Sequence, residues 1–232
     1  NQIFKSEYRN GAWTHTMGVN DNISPDGQSA TLPQVVMNNT DQAVITWQQS
    51  DGAFSQIFKS EYRNGAWTHP INLADNIAPN GQNASNARVA LNDDGTTVIV
   101  WQQFDGSLFT HIFKSEYRNA ASTHPASVAE YISPTVTYGA TNPKVSMDQE
   151  GQVVVVWEQR NGPLAPDTYY QIFKSEYRNG AWTYPTDLND NISPDSTNAA
   201  SAEVALSDAG EAFIFWGQSN GLNGQIYMSH YR

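Results

Sequence analysis

Along the chain, short runs alternate apolar and polar residues with a period of two, the pattern of half-buried β-strands. The clearest run, Ile-Phe-Lys-Ser-Glu-Tyr-Arg, occurs at Ile3–Arg9, Ile57–Arg63, Ile112–Arg118 and Ile172–Arg178. A divergent copy, Ile-Tyr-Met-Ser-His-Tyr-Arg, stands at Ile226–Arg232, and successive copies are 54, 55, 60 and 54 residues apart. A second marker, Trp-x-Gln-x-Asp/Asn-Gly, recurs at Trp47, Trp101, Trp157 and Trp216, and a third, Ile-Ser/Ala-Pro, at Ile23, Ile77, Ile132 and Ile192. Three markers returning in one order define an internal repeat.

One unit reads as four strands. Strand a covers Ala87–Leu91, and Asn92-Asp93-Asp94-Gly95 turns the chain into strand b, Thr96–Gln103. Phe104–Thr110 connects to strand c, His111–Arg118, and strand d ends near Pro125. In the other copies c and d are joined by Asn10-Gly11, Asn64-Gly65 and Asn179-Gly180, the strongest short hairpin signal. Four antiparallel strands per unit and no helical stretch predict an all-β β-propeller of four blades, each about 55 residues. A solenoid would need shorter coils and parallel strands. The whole chain, 1–232, is expected to be one domain, with repeats at about 19–73, 74–128, 129–188 and 189–232. The first strand d, Ala12–Thr16, is expected to close the last blade, so that residues 1–18 complete the ring. Strand c occurs five times, so that Gln2–Asn10 is a fifth, outer strand of the closing blade, or replaces Gln225–Arg232, or the chain is cut from a longer array; as a surplus edge strand it invites a homodimer through the closing blade.

Composition narrows the class. Apolar residues at 39%, aromatics at 12% and charged residues at 15% do not describe a disordered chain. There is no apolar run long enough to insert in a membrane. Cys is absent, which removes disulfides, thiolate metal sites and a Cys nucleophile. Asn1 is preceded by no initiator Met and followed by no signal-peptide pattern, so the chain reads as a mature form or an excised piece. A net charge of −11 argues against nucleic acid and anionic membranes as partners. Nine of the 12 basic residues lie in the strand-c copies, where Lys, Glu and Arg alternate as a self-compensating ladder. The rest of the chain is acidic and suits a cation, a cationic partner or a neutral sugar better than phosphate.

Antiparallel order puts the short a–b and c–d turns on one face and the longer b–c and d–a loops on the other. Function is expected on the latter, for a carbohydrate or protein ligand. Gln49, Gln103, Gln159 and Gln218, with Asp51, Asp105, Asn161 and Asn220, are candidate ligand contacts once per blade, since amides and carboxylates pair well with sugar hydroxyls. The same residues also read as caps on loop amides beside an interior Trp. Trp13, Trp67 and Trp182 in strand d either stack on ligand or pack the outer blade, and Ser122 replaces them in the third copy. Asp21, Asp75, Glu130 and Asp190 in loop d–a either start turns or form a carboxylate ring that could hold Ca²⁺, the one cofactor suggested. His15, His69 and His124 share a repeat position that Tyr184 fills in the fourth copy, a poor arrangement for one catalytic base. The strong asymmetry is the Pro163–Tyr170 loop.

At Pro143–Gly162 the sequence follows Pro-x-Val-x-x-Asp-x-x-Gly-x-x-x-Val-x-Trp, and Gln171–Pro185 follows an Ile-x-x-Ser-x-Tyr-x-Asn-Gly-x-Trp hairpin. Nearly the whole chain in this way resembles extracellular bacterial tandem-repeat β-propeller proteins, whose small members include lectins with one site per blade. The resemblance specifies a blade and carries over no site residues. It implies a secreted or cell-surface protein. The expectation is therefore a non-catalytic, multivalent carbohydrate-binding module. A structural or adhesive protein–protein propeller, Ca²⁺-stabilised, is the alternative, and a glycosidase-like enzyme the third.

Overall fold

The computed structural model describes residues 1–135, 138–162 and 168–232. It is all-β, apart from a single 3₁₀ turn at Leu188–Asp190 among the described residues. A short hairpin, β1 (Glu7–Arg9) and β2 (Ala12–Thr14), comes first. Unit one follows as β3 (Ala30–Met37), β4 (Ala43–Ser50), β5 (Ser55–Arg63) and β6 (Ala66–Thr68). Unit two is β7 (Ala84–Leu91), β8 (Thr97–Phe104), β9 (Thr110–Arg118) and β10 (Ala121–Thr123). Unit three is β11 (Ala140–Met147), β12 (Val153–Arg160), β13 (Tyr170–Arg178) and β14 (Ala181–Thr183). Unit four has three strands, β15 (Ala199–Leu206), β16 (Ala212–Ser219) and β17 (Gly224–Tyr231). Each unit is an antiparallel sheet in sequence order.

Strand b lies inside its sheet and between neighbouring sheets, so it must be apolar on both faces. Val153–Trp157 is accordingly buried without a break. One face of each unit docks on the next. Val44 and Ile57 of unit one pack with Ile77, Ala84, Ile99, Trp101 and Phe113 of unit two. Val98, Val100 and Ile112 do the same against Trp157 and Phe173, and Val154, Val156 and Ile172 against Trp216. The amide of each unit's Ile-Ser/Ala-Pro marker is tied to the preceding strand c, as in Ile77 N–H to Ile57 O at 2.8 Å and Ile192 N–H to Ile172 O at 2.8 Å.

The Lys-Glu-Arg ladder spans these boundaries. Glu61 pairs with Lys59 at 3.0 Å and Arg63 at 3.2 Å in its own strand. Arg63 also lies 4.0 Å over the Tyr117 ring of the next unit and donates to Gly95 O at 2.8 Å. Arg118 over Tyr177 and Arg178 over Tyr231 repeat the contact.

Strand a is three residues longer than its pattern suggested. A bulge between Ser85 and Arg88, with Asn86 at φ 56°, breaks the alternation, and Leu32, Asn142 and Ser201 hold the same left-handed conformation. The expected closure does not form. The β2 strand pairs only with β1, and β17 pairs only with β16, so the sheets stand like successive blades of a propeller without a closed ring. The reason is visible in the packing: the β1–β2 hairpin docks on unit one, where Ile3 joins Ile23, Trp47 and Phe58.

Candidate functional site

The b–c and d–a loops share one face, as antiparallel order requires. The recurring Gln residues hold it together from within. Trp47 Nε1 donates to Gln49 Oε1 at 3.0 Å, and Gln49 Nε2 donates to the Pro25 and Gln28 carbonyls of loop d–a at 2.6 and 2.9 Å. Gln103 repeats this on Trp101, Pro79 and Gln82, and Gln218 on Trp216, Pro194 and Thr197. Gln159 takes the Trp157 indole and reaches Tyr138 O at 3.3 Å. All four are buried, so their amides are taken up by indole and loop rather than offered to a ligand. Their partners in the motif shape the b–c turns: Asp51 accepts the Ala53 and Phe54 amides, Asp105 that of Ser107, Asn161 that of Tyr169, and Asn220 those of Leu222 and Asn223.

The strand-d tryptophans lie on the outer rim. Trp67 Nε1 donates to Glu7 of the preceding hairpin at 2.6 Å, and Trp182 to Glu116 of the preceding unit at 2.5 Å, each beneath a lysine, Lys5 or Lys114. Trp13 stands largely exposed against His15. The loop d–a carboxylates are each local to one turn. Asp21 accepts the Met17 and Gly18 amides, Asp75 those of Ile71 and Asn72, Glu130 that of Ala126, and Asp190 those of Thr186 and Asp187. Among the described residues no three His, Asp or Glu side chains come together as a metal cluster.

The boundary between units two and three departs from the repeat. Strand b ends in Ser50 in unit one and Ser219 in unit four, but in Phe104 in unit two and Arg160 in unit three. Phe104 and Arg160 line a cleft of about 530 Å³ on the loop face between units two and three. Phe104, Phe109, Tyr138 and Tyr170 are its aromatic walls, Leu108 stands at its edge, and Arg160 is its charged group. The Arg160 guanidinium lies 5.6 Å from the Tyr170 ring and donates to Thr168 at 2.8 Å. The start of the asymmetric Pro163–Tyr170 loop, residues 163–167, lies outside the described residues.

A second asymmetry adjoins the cleft. His111 replaces the Gln of strand c found at Gln56 and Gln171. Its Nε2 lies 3.3 Å from Asp105, its Nδ1 3.0 Å from Ser133 Oγ, and its ring stacks 3.9 Å from Tyr131. The order Asp–His–Ser has the outline of a nucleophilic relay. Its environment does not. Both His111 and Ser133 are buried, and Ser133 Oγ accepts the Ile112 amide. Gln171 holds Ser193 in the same way, with the Ile172 amide on that serine. Burial pushes the His111 pKa down, only partly offset by Asp105, so the ring is neutral. Asp105 is pushed up by burial, yet the Ser107 bonds and His111 hold it below the usual carboxylate range. The three residues are a variant of the scaffold tie. On the outer rim of the same boundary, His124 is likewise held by Ser115 at 2.6 Å, and burial with Glu116 nearby pushes Tyr184 up to about 12.

No protein-family model matches the sequence, and no curated protein matches it. Solved structures do match. A protein of unknown function from Dyadobacter fermentans superposes with a TM-score of 0.58 at 12% identity, over 90% of this chain and 67% of that one. An ulvan lyase, a polysaccharide lyase, gives 0.56 at 10% identity, over 86% of this chain and 55% of that one. A Hadza microbial sialidase gives 0.56 at 10% identity, over 86% and 44%. The chain spans about half the length of these two enzymes. At such identities the likeness establishes the fold, sheets arranged as propeller blades. It also corrects the expectation of a non-catalytic binding module. The ulvan lyase and the sialidase are enzymes on this fold, so the blade pattern gives no ground for excluding catalysis. In the described residues no helix is long and apolar enough to cross a membrane.

Proposed function

We propose that the chain is the blade-bearing part of a secreted carbohydrate-active enzyme, and that the cleft between units two and three holds an acidic sugar of a polysaccharide. The observation that carries this reading is the pairing of Arg160 with the aromatic walls Phe104, Phe109, Tyr138 and Tyr170 at a boundary where the repeat departs from itself. Aromatic faces suit the apolar faces of sugar rings, and a guanidinium suits a carboxylate. The ulvan lyase of the same fold is described bound to a glucuronate-containing saccharide.

The lining favours elimination over hydrolysis. Hydrolysis by a carboxylate pair needs two acids flanking the bond, and none of the described lining residues is acidic. In a uronate, Arg160 would neutralise the carboxylate, and Tyr138 or Tyr170, its hydroxyl proton first given up to solvent, would accept as phenolate the proton from the carbon adjacent to the carboxylate. The C=C bond forms as the glycosidic C–O bond breaks, and the leaving oxygen takes a proton from water or the second phenol. The test is incubation with a panel of uronate-containing and neutral polysaccharides, following unsaturated uronate by absorbance and reducing ends chemically. Cleavage of uronate polymers alone, lost in Arg160→Ala, is expected. Absence of any cleavage, or equal cleavage of neutral polymers, refutes the reading.

A further inference from the structure

The three basic residues outside the strand-c copies, Arg88, Lys144 and Arg160, all lie in units two and three. Five of the seven arginines pair with a glutamate. The two without a carboxylate partner among the described residues are Arg160, in the cleft, and Arg88, outside it. Arg88 is half-buried and donates to the carbonyl of its neighbour Ala87 at 2.8 Å. With 23 acidic side chains against 12 basic ones, a shortage of acids is not the reason.

The repeat shows what Arg88 lacks. Its counterpart in unit three is Lys144, which stands opposite Val156 and so on the face that docks on unit four. There Lys144 Nζ meets Glu203, the residue at the same position of unit four. Glu158, two residues beyond Val156 on that face, accepts the Ser201 amide at 2.8 Å. In unit two, Arg88 stands opposite Val100 and faces unit three. Both carboxylates are gone from its surroundings. Lys144 occupies the place of Glu203, and Gln102, which accepts the Asn142 amide at 2.9 Å, the place of Glu158. A guanidinium is left uncompensated where the next boundary supplies two acids.

We infer, building on the uronate reading of the cleft, that Arg88 is a second anion subsite on the same boundary, taking the carboxylate of another unit of the same polymer. Phe104 of the cleft wall and Val100, the cross-strand partner of Arg88, are four residues apart on β8, about 13 Å along the strand. That is farther than one sugar ring reaches, so Arg160 and Arg88 hold different units of one chain. A guanidinium takes a carboxylate through two parallel N–H donors. Two such points reinforce each other only on a ligand long enough to span them.

The test is calorimetry with oligogalacturonates of two and six units on the intact chain, Arg88→Gln and Arg160→Ala. Glutamine is what unit one carries at this position, Gln34, so the frame accepts it. The intact chain should bind the hexamer more tightly than the dimer. Arg88→Gln should cut that preference about tenfold, the loss of one charged hydrogen-bonded pair, whereas Arg160→Ala should weaken both lengths. In the intact chain the Arg88 Nε–H resonance should move on adding hexamer and stay on adding dimer. A hexamer preference that survives Arg88→Gln, or an Arg88 resonance that ignores the hexamer, overturns the inference and leaves the cleft reading standing. Hexamer binding that depends on Arg88 but not on Arg160 overturns the cleft reading alone, and an intact chain that binds neither length overturns both.

Discussion

Replacing His111 by glutamine separates a scaffold tie from a catalytic relay, and the pH dependence of stability measures which it is. Burial holds the folded His111 pKa below its ordinary value, about 6.5. As pH falls below that value the unfolded chain takes up a proton that the folded chain refuses, so stability is lost on the acid side. The loss is bounded by one proton, about 1.4 kcal/mol between neutral pH and pH 5.5. Glutamine removes this term and keeps the bond to Ser133, as Gln171 keeps Ser193. It forfeits the stack on Tyr131, worth about 0.5–1.5 kcal/mol. His111→Gln should therefore be the less stable chain at pH 8 and draw level with the wild type, or pass it, near pH 5.5. His69 and His124, also held low by burial, are present in both chains and cancel in the difference. Urea denaturation at both pH values reads the crossing. Parallel pH dependences would refute the buried, neutral histidine. Loss of polysaccharide cleavage in a variant that folds and melts normally would refute the scaffold reading and restore the relay.

Three further substitutions or conditions test other parts of the argument. Ala120 sits at φ 60° in the c–d turn where the other copies have Gly, so Ala120→Gly should relieve about 1–2 kcal/mol of left-handed strain, less about 0.4–1 kcal/mol for the freer unfolded chain. A melting temperature that falls would refute this. Gln56 Oε1 is buried without a hydrogen-bond partner, and Ala78 stands where Ser24 and Ser193 serve the equivalent glutamines. Ala78→Ser should recover about 1 kcal/mol, or about 2–4 °C in melting temperature for a chain of this size, and an unchanged melting curve would count against it. A chain of net charge −11 repels an acidic polymer at long range, whereas Arg160 acts at contact. Binding measured by calorimetry should hold or strengthen as salt shortens the screening length to about 8 Å, and steep weakening with salt would show that long-range attraction dominates.

Local structure was legible because each unit says the same thing at every level: alternation for strands, Asn-Gly for the c–d turn, a β-branched run ending in Trp for the buried strand b. The bulge in strand a was not, because Leu32 and Ser201 adopt a left-handed conformation that their side chains do not advertise. Ring closure was misread because strand order alone cannot say which surface a terminal hairpin prefers. Ile3 and Glu7 carry the repeat's own contacts to unit one, and these hold the hairpin there. The recurring Gln looked like a ligand contact because recurrence marks equally a scaffold bond and a binding site, and only the carbonyls of Pro25, Pro79 and Pro194 distinguish them. The cleft was overlooked for the opposite reason. Phe104 and Arg160 are departures from the repeat, visible once the copies are compared for what they do not share.

Each boundary between units carries contacts that both neighbours encode in their own copy: an arginine on the next tyrosine, a strand-b valine on the next core, a marker amide on the preceding isoleucine. The contacts that recur from boundary to boundary use no residue peculiar to its place. Slippage between near-identical gene segments would therefore add or delete whole units and leave the remaining boundaries compatible, making array length a heritable quantity that changes in steps. The cleft sits on a single boundary and draws on the two units beside it. Units could be gained or lost on either side of that pair while the cleft passes unaltered to the longer or shorter descendant.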